Sequence, residues 1–227
     1  MAFTLNQVVP WGRTYDEYVA MFALSKADLE KRVLDCSGGP ASFNCVLTEQ
    51  GGHVVSADPV YHFTTDEIRR RIGETYEEVM EQTGKNRNEF IWETITSVEE
   101  LGRIRMGAMD DFLRDYQAGK REGRYIDAAL PSLPFKDGEF DIALCSHFLF
   151  LYSEQLSEEF HYRAIMELCR VASEVRIFPL LELGANKSRH LELVLNRLAA
   201  KVFKISVEKV PYEFQKNGNE MLKISAA

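Results

Sequence analysis

The sequence predicts an α/β fold: a mostly parallel central sheet, a C-terminal antiparallel hairpin, and a helical insertion between the second and third strands. Three observations predict it. Short apolar runs alternate with amphipathic stretches of helical period, the pattern of a parallel sheet covered by helices. Two helix-capping signatures, Thr64-Thr65-Asp66-Glu67 and Ser97-Val98-Glu99-Glu100, fall where that alternation is interrupted. The chain closes on two strand-like runs around Asn217-Gly218, a hairpin dipeptide.

Thr14, with Glu17 three residues on, caps a first helix whose apolar side carries Tyr15, Tyr18, Val19 and Phe22. Residues 33–36 read as the first strand, 41–49 as a helix stopped at Gly51-Gly52, and 53–58 as the second strand. Thr64 opens a helix expected to end at Gly84, and Ser97 opens another expected to end at Gly119. The alternation resumes with strands at 124–128 and 140–145, a helix at 158–171, a strand at 174–178 and a helix at 189–201. The finish is a strand over 203–214, a turn at Asn217-Gly218, and a last strand over 220–225. No repeat or low-complexity linker divides the chain, so residues 1–227 are expected to form one domain, with 62–120 as a helical lid insertion.

Composition narrows the function classes. Of 227 residues, 45% are hydrophobic and 27% charged, a globular balance, and the net charge is −8, which argues against a nucleic-acid partner. No run approaches the ~18 apolar residues of a membrane span. The stretch Met1 to Pro10 lacks a positive segment followed by an apolar run, so no secretory leader is expected and the compartment reads as cytoplasmic. The cysteines Cys36, Cys45, Cys145 and Cys169 show neither a CxxC pair nor metal-ligand spacing, so reduced, buried thiols and no metal are expected.

In open α/β sheets ligands lie beyond the carboxyl ends of the strands, which directs attention to the turn Asp35-Cys36-Ser37-Gly38-Gly39-Pro40-Ala41. Small residues there let the backbone approach a ligand closely. The second strand ends in Asp58-Pro59, and a carboxylate about 20 residues past such a turn can accept hydrogen bonds from both hydroxyls of a ribose. Together these features point to an adenosine-containing cofactor, with nicotinamide and sulfonium cofactors both open.

Val33-Leu34-Asp35 with Gly39, then Asp58, then Leu133-Pro134-Phe135-Lys136-Asp137-Gly138-Glu139-Phe140-Asp141, resembles the motif series of class I S-adenosylmethionine-dependent methyltransferases. The match covers about residues 32–173. The segments PWGR (10–13), GPASF (39–43), DPVY (58–61), HFLFLYS (147–153) and RIFPLL (176–181) resemble an uncharacterised bacterial branch of that class. The resemblance implies a Rossmann-like methyltransferase fold, S-adenosylmethionine as cofactor, S-adenosylhomocysteine as product, and a small-molecule methyl acceptor. It places Ser37, Gly38 and Gly39 against the cofactor's methionine and ribose, Asp35 near its amino group, Asp58 on the ribose diol, and Pro59 and Val60 beside the adenine. Ala129 and Leu130 fall where the family carries an acidic residue on the adenine side, and Ser37 and Ala41 replace glycines common in its turn.

Ser146 and His147 follow the fourth strand, where such enzymes touch cofactor or substrate. An imidazole there is a candidate proton acceptor, or alternatively a pocket-lining group. His62 and Tyr152 are reserve catalytic candidates. Trp11 and Arg13 precede the first strand; Arg13 suits the cofactor carboxylate or an acidic substrate, or else the segment anchors the surface. Arg69-Arg70-Arg71, Arg103 and Arg105 on the inserted helices read as a solvated face, and Met106 and Met109 as core. Tyr116 and Lys120 match the Tyr-x-x-x-Lys pair of short-chain dehydrogenases, which needs a continuous helix that Gly119 is expected to break. A nicotinamide-dependent oxidoreductase and a non-catalytic cofactor-binding protein are the competing classes, and the terminal hairpin disfavours the first. The oligomeric state is left open.

Overall fold

The computed structural model describes residues 9–226, so the expectation about a leader falls mostly outside the described residues. The chain runs through helix α1 (Tyr15–Met21), α2 (Lys26–Leu29), strand β1 (Arg32–Cys36), α3 (Phe43–Glu49), β2 (His53–Ala57), α4 (Thr65–Lys85), α5 (Val98–Arg121) and β3 (Tyr125–Ile126). It continues with β4 (Phe140–Ser146), α6 (Glu158–Val171), β5 (Ala172–Phe178), β6 (Leu181–Glu182), β7 (Asn186–Lys187), α7 (Leu191–Ala199), β8 (Phe203–Lys209) and β9 (Glu220–Ala226).

Seven strands form the main sheet in the order β3-β2-β1-β4-β5-β9-β8. The pairs β3–β2, β2–β1, β1–β4 and β4–β5 are parallel, whereas β9 runs antiparallel to both β5 and β8. Alternation along the central strands divides the core between two faces. Leu34, Ala143 and Cys145 point to the side covered by α6 and α7, while Val33, Ile142 and Leu144 face α1 and α3. A third apolar cluster joins α4 and α5 to β3 through Ile68, Ile72, Phe112 and Tyr125. The strand order reverses between β1 and β4, which leaves a crevice beyond their carboxyl ends.

The capping signatures behave as expected. Thr14, Ser25 and Thr64 each form a reciprocal capping box, and Ser97 caps α5 through its hydroxyl. The four thiols are free, three of them buried and Cys169 partly so.

Three expectations change. First, α5 does not stop at Gly119 but runs to Arg121, and the reversal comes at Gly123 with φ 77°. Gly119 serves close packing instead: a Cβ there would lie 2.4 Å from the Tyr125 ring. Second, the final hairpin has no two-residue turn at Asn217-Gly218. The strand ends at Lys209, and residues 210–219 leave the sheet so that Tyr212 packs on Phe178 and Phe214 stacks on Phe90, with ring centroids 5.8 Å and 4.9 Å apart. Burial of two aromatic rings outweighs continued pairing of an edge strand. Third, a small antiparallel hairpin, β6–β7, interrupts the segment after β5.

Candidate functional site

Two adjoining cavities open at the crevice, one of about 300 Å³ and one of about 110 Å³. Val9, Trp11, Arg13 and His147 line both, so they stand at the junction.

The larger cavity is built on the turn after β1. Ser37 has φ 60° and Gly39 φ 58°, so the chain reverses through two left-handed residues. Gly39 is the natural occupant of such a position, whereas Ser37 carries strain that the family's usual glycine would not. Gly38 is required for a different reason: a Cβ would meet the Asp35 carboxylate at 2.3 Å and the Tyr18 hydroxyl at 2.7 Å. Asp58 adjoins this turn. Its carboxylate accepts the Val60 N–H at 2.8 Å and the Gly39 N–H at 3.0 Å, which ties the end of β2 to the glycine turn. Burial pushes its carboxyl up to about 6 against those two hydrogen bonds. Pro59, Val60, Ala129 and Ser146, also expected at the cofactor, line this cavity.

Asp35 and Leu130 do not line the cavity. Asp35 is turned inward, where its carboxylate accepts the Tyr18 and Ser56 hydroxyls at 3.0 Å each. Burial pushes it up to about 7 despite those bonds. Asp35 therefore braces the floor beneath Gly38 rather than facing a ligand. Leu130 is buried in the core on the α6 side, because Ala129 takes the cavity-facing position.

His147 has φ 49°, and its Nδ1 lies 3.0 Å from the Ser146 hydroxyl. Burial, with Arg13 and Arg105 nearby, holds its pKa well below 6.5, so the imidazole is neutral at neutral pH. Tyr152 lines the smaller cavity, and its phenolic oxygen accepts the Val9 N–H at 3.4 Å. His62 lines neither cavity. Its side chain is 73% exposed and lies 3.0 Å from Asp127, away from the residues that line the two cavities.

Sequence reasoning missed two arginines. Arg71, expected in a solvated face, lies over the Phe63 ring at 3.8 Å and lines the larger cavity. Arg105 is 1% exposed and lines the smaller one. Both its terminal nitrogens donate to Glu17, at 2.5 and 2.6 Å. The available signal was periodicity: Arg105 follows Leu101 by four residues and precedes Ala108 and Met109 on the buried face of α5. Arg69 and Arg103 are exposed and paired with Asp66 and Glu100, as a solvated face requires, and Met109 is core.

Because α5 continues past Gly119, Tyr116 and Lys120 do share one face, with Lys120 Nζ 3.3 Å from the Tyr116 hydroxyl. Both instead donate to the Tyr61 carbonyl, Tyr116 at 2.8 Å and Lys120 at 2.6 Å, and neither lines either of the two cavities. The pair anchors the loop after β2. The segment at 133–141 is likewise structural: the Arg170 guanidinium on α6 donates to the Leu133 and Phe135 carbonyls and to Asp137, at the end of β4 away from the crevice.

No family model matches the chain. The uncharacterized protein MJ0045 of Methanocaldococcus jannaschii is 36% identical over 220 residues, covering 96% of each chain. The chain belongs to the MJ0045 family. That relative is archaeal, not bacterial as the resemblance implied. Among solved structures, the PH0226 protein from Pyrococcus horikoshii OT3 superposes with a TM-score of 0.50 at 13% identity, over 94% of this chain and 91% of that one. Magnesium protoporphyrin IX methyltransferase (ChlM) from Synechocystis PCC 6803, with bound SAH, gives 0.50 at 15%, over 94% and 81%. This MJ0045-family chain therefore has the Rossmann-like fold of class I S-adenosylmethionine-dependent methyltransferases. No helix among its described residues is long and apolar enough to cross a membrane.

Proposed function

We propose that this protein binds S-adenosylmethionine in the larger cavity and transfers its methyl group to a small molecule held in the smaller one. One observation carries the reading: Asp58 and the Gly38–Gly39 turn, joined through the Gly39 N–H, together line a cavity at the point where the strand order reverses. The residues present fit the group. At about 300 Å³ the cavity is at the lower end of small-molecule sites. Nothing lies within 4 Å of where a Gly39 Cβ would project, so the backbone there is open to a ligand. The Asp58 oxygens keep lone pairs beyond their two backbone bonds for a ribose diol.

Bound there, the cofactor supplies an electrophilic methyl group on a sulfonium. Gly38 and Gly39 bring the backbone close to it, and Pro59 and Val60 border the adenine. No carboxylate stands at 129–130, so the plane of Phe63 under Arg71 is the surface offered to the base. Trp11, Arg13 and His147 stand at the junction, where donor and acceptor would meet. Their work is alignment and exclusion of water, the main source of acceleration for a displacement at a methyl carbon. A neutral His147 is free to accept an acceptor proton, with Tyr152 beside it in the acceptor cavity. The inserted α4 and α5 supply Val79, Leu101 and Arg105 to the acceptor cavity, which suits a lid.

Isothermal titration tests the donor. S-adenosylmethionine and S-adenosylhomocysteine are expected to bind the purified protein, and the Asp58→Ala variant to bind at least ~tenfold more weakly. No binding of either compound at millimolar concentration overturns the reading.

A further inference from the structure

The smaller cavity carries an unbalanced charge. Two guanidiniums line it, Arg13 and Arg105, and no aspartate or glutamate does. Among the described residues, the carboxylate that faces them from behind the wall is Glu17. Glu17 is fully committed: it accepts both terminal nitrogens of Arg105, the Thr14 N–H at 2.9 Å and the Tyr212 hydroxyl at 2.9 Å. Arg13 makes one hydrogen bond among the described residues, from Nη1 to the Trp11 carbonyl at 2.8 Å. The Nε atoms of Arg13 and Arg105 are both buried without a partner there. His147 is neutral and adds nothing. Two cations against one anion leave a single positive charge in a poorly solvated pocket.

Such a charge is costly to hold out of water unless a partner arrives. S-adenosylmethionine is not that partner in net terms: its carboxylate and ammonium cancel, and its sulfonium adds a further positive charge at the junction. The missing negative charge falls to the second ligand. Around the guanidiniums the wall is apolar and aromatic, with Trp11, Phe90, Leu101, Phe178 and Phe214. An apolar cavity of roughly 150 Å³ holds one benzene ring. At about 110 Å³, and open to the larger space, this cavity is of the size of about one ring.

We propose that the smaller cavity binds an anionic small molecule, a carboxylic acid with an apolar body of about one ring, and that its carboxylate pairs with Arg13 at the junction. That this anion is the methyl acceptor rests on the methyltransferase reading; that the cavity binds it does not. Arg105, locked to Glu17, holds the positive field in place, and the aromatic wall selects a flat body over a flexible chain.

Titration calorimetry with benzoate and its uncharged isostere benzamide tests this on the wild-type protein, each alone and in the presence of saturating S-adenosylhomocysteine. Benzoate is expected to bind about tenfold or more tightly than benzamide. Its affinity is expected to fall by a similar factor in Arg13→Gln and to recover partly in Arg13→Lys. Benzamide binding as tightly as benzoate overturns the proposal without any variant being needed. Absence of benzoate binding while S-adenosylhomocysteine binds also overturns it and leaves the donor reading standing. Benzoate binding without S-adenosylhomocysteine binding does the reverse.

Discussion

Glu17 and Arg105 form a two-pronged ion pair, with Nη1–Oε2 and Nη2–Oε1 distances of 2.5 and 2.6 Å, across 88 residues of sequence. The same carboxylate completes the capping box of α1. One side chain thus fixes the start of the first helix, the middle of α5 and the charge of the smaller cavity.

Removing that carboxylate leaves two buried guanidiniums without a counter-charge, so Glu17→Gln is expected to cost about 3–5 kcal/mol in urea denaturation. The pH dependence has a definite sign. Burial raises the Glu17 carboxyl, but Arg105 and Arg13 outweigh it and hold the group at about 2 against an ordinary 4.5. A depressed acid contributes stability that is fully present above its unfolded value and lost as pH falls toward its folded one. Wild-type stability should therefore decline from about pH 4.5 downward, and the Glu17→Gln variant should lack that part of the acid limb. Equal acid limbs in the two proteins would contradict the pairing.

Asp58 predicts the pH dependence of cofactor binding. Its carboxyl is raised to about 6 by burial, and only the ionised form accepts two ribose hydroxyls. Affinity for S-adenosylhomocysteine is expected to rise through about pH 6 and level off above it, weakening toward about tenfold per unit below. Calorimetry at several pH values checks this. A flat profile in the wild type would show that Asp58 does not touch the ligand.

The turn predicts unequal outcomes at adjacent residues. Gly38→Ala would drive a Cβ against the buried Asp35 carboxylate and Tyr18 hydroxyl, costing about 2–3 kcal/mol and the ligand site with it. Ser37→Gly relieves a left-handed residue worth roughly 1 kcal/mol, offset by the greater unfolded freedom of glycine, so its stability stays within about 1 kcal/mol. Thermal or urea unfolding of the two variants distinguishes them directly.

The histidines divide in the same way. His62→Ala loses an exposed pair with Asp127 and an edge contact with the Phe63 ring, so its melting temperature should stay close to the wild type and its S-adenosylhomocysteine affinity within a few-fold. His147 should remain neutral in an NMR titration well below pH 6.5, because burial and the two arginines oppose its protonation. A normal titration of His147 near pH 6.5 would place it outside the buried junction.

Local signals were legible because their causes are local. The capping boxes at Thr14 and Thr64 and the strands at 33–36 and 140–145 depend on residues a few positions apart. The Gly38–Gly39 turn and Asp58 were legible as a pair because parallel pairing of β1 with β2 leaves only one place for the end of each strand. By contrast, Gly119 was misread as a helix stop because its neighbour is Tyr125, which reaches it only after the chain turns back. The Leu133 to Asp141 motif marked the fold correctly but serves the packing of α6, not the site.

By itself the sequence determined the mostly parallel sheet, the glycine turn and the acid beside it, since these follow from period, capping and spacing along the chain. Only the tertiary structure decided which side chains face the cavities. It sent His62 outward and Asp35 beneath the floor, brought Arg71 and Arg105 inward, and folded residues 210–219 over the crevice so that Tyr212 and Phe214 close the smaller cavity. The physical reason is distance along the chain. A buried arginine is tolerable only where a carboxylate such as Glu17 waits for it, and no local pattern records a partner 88 residues away.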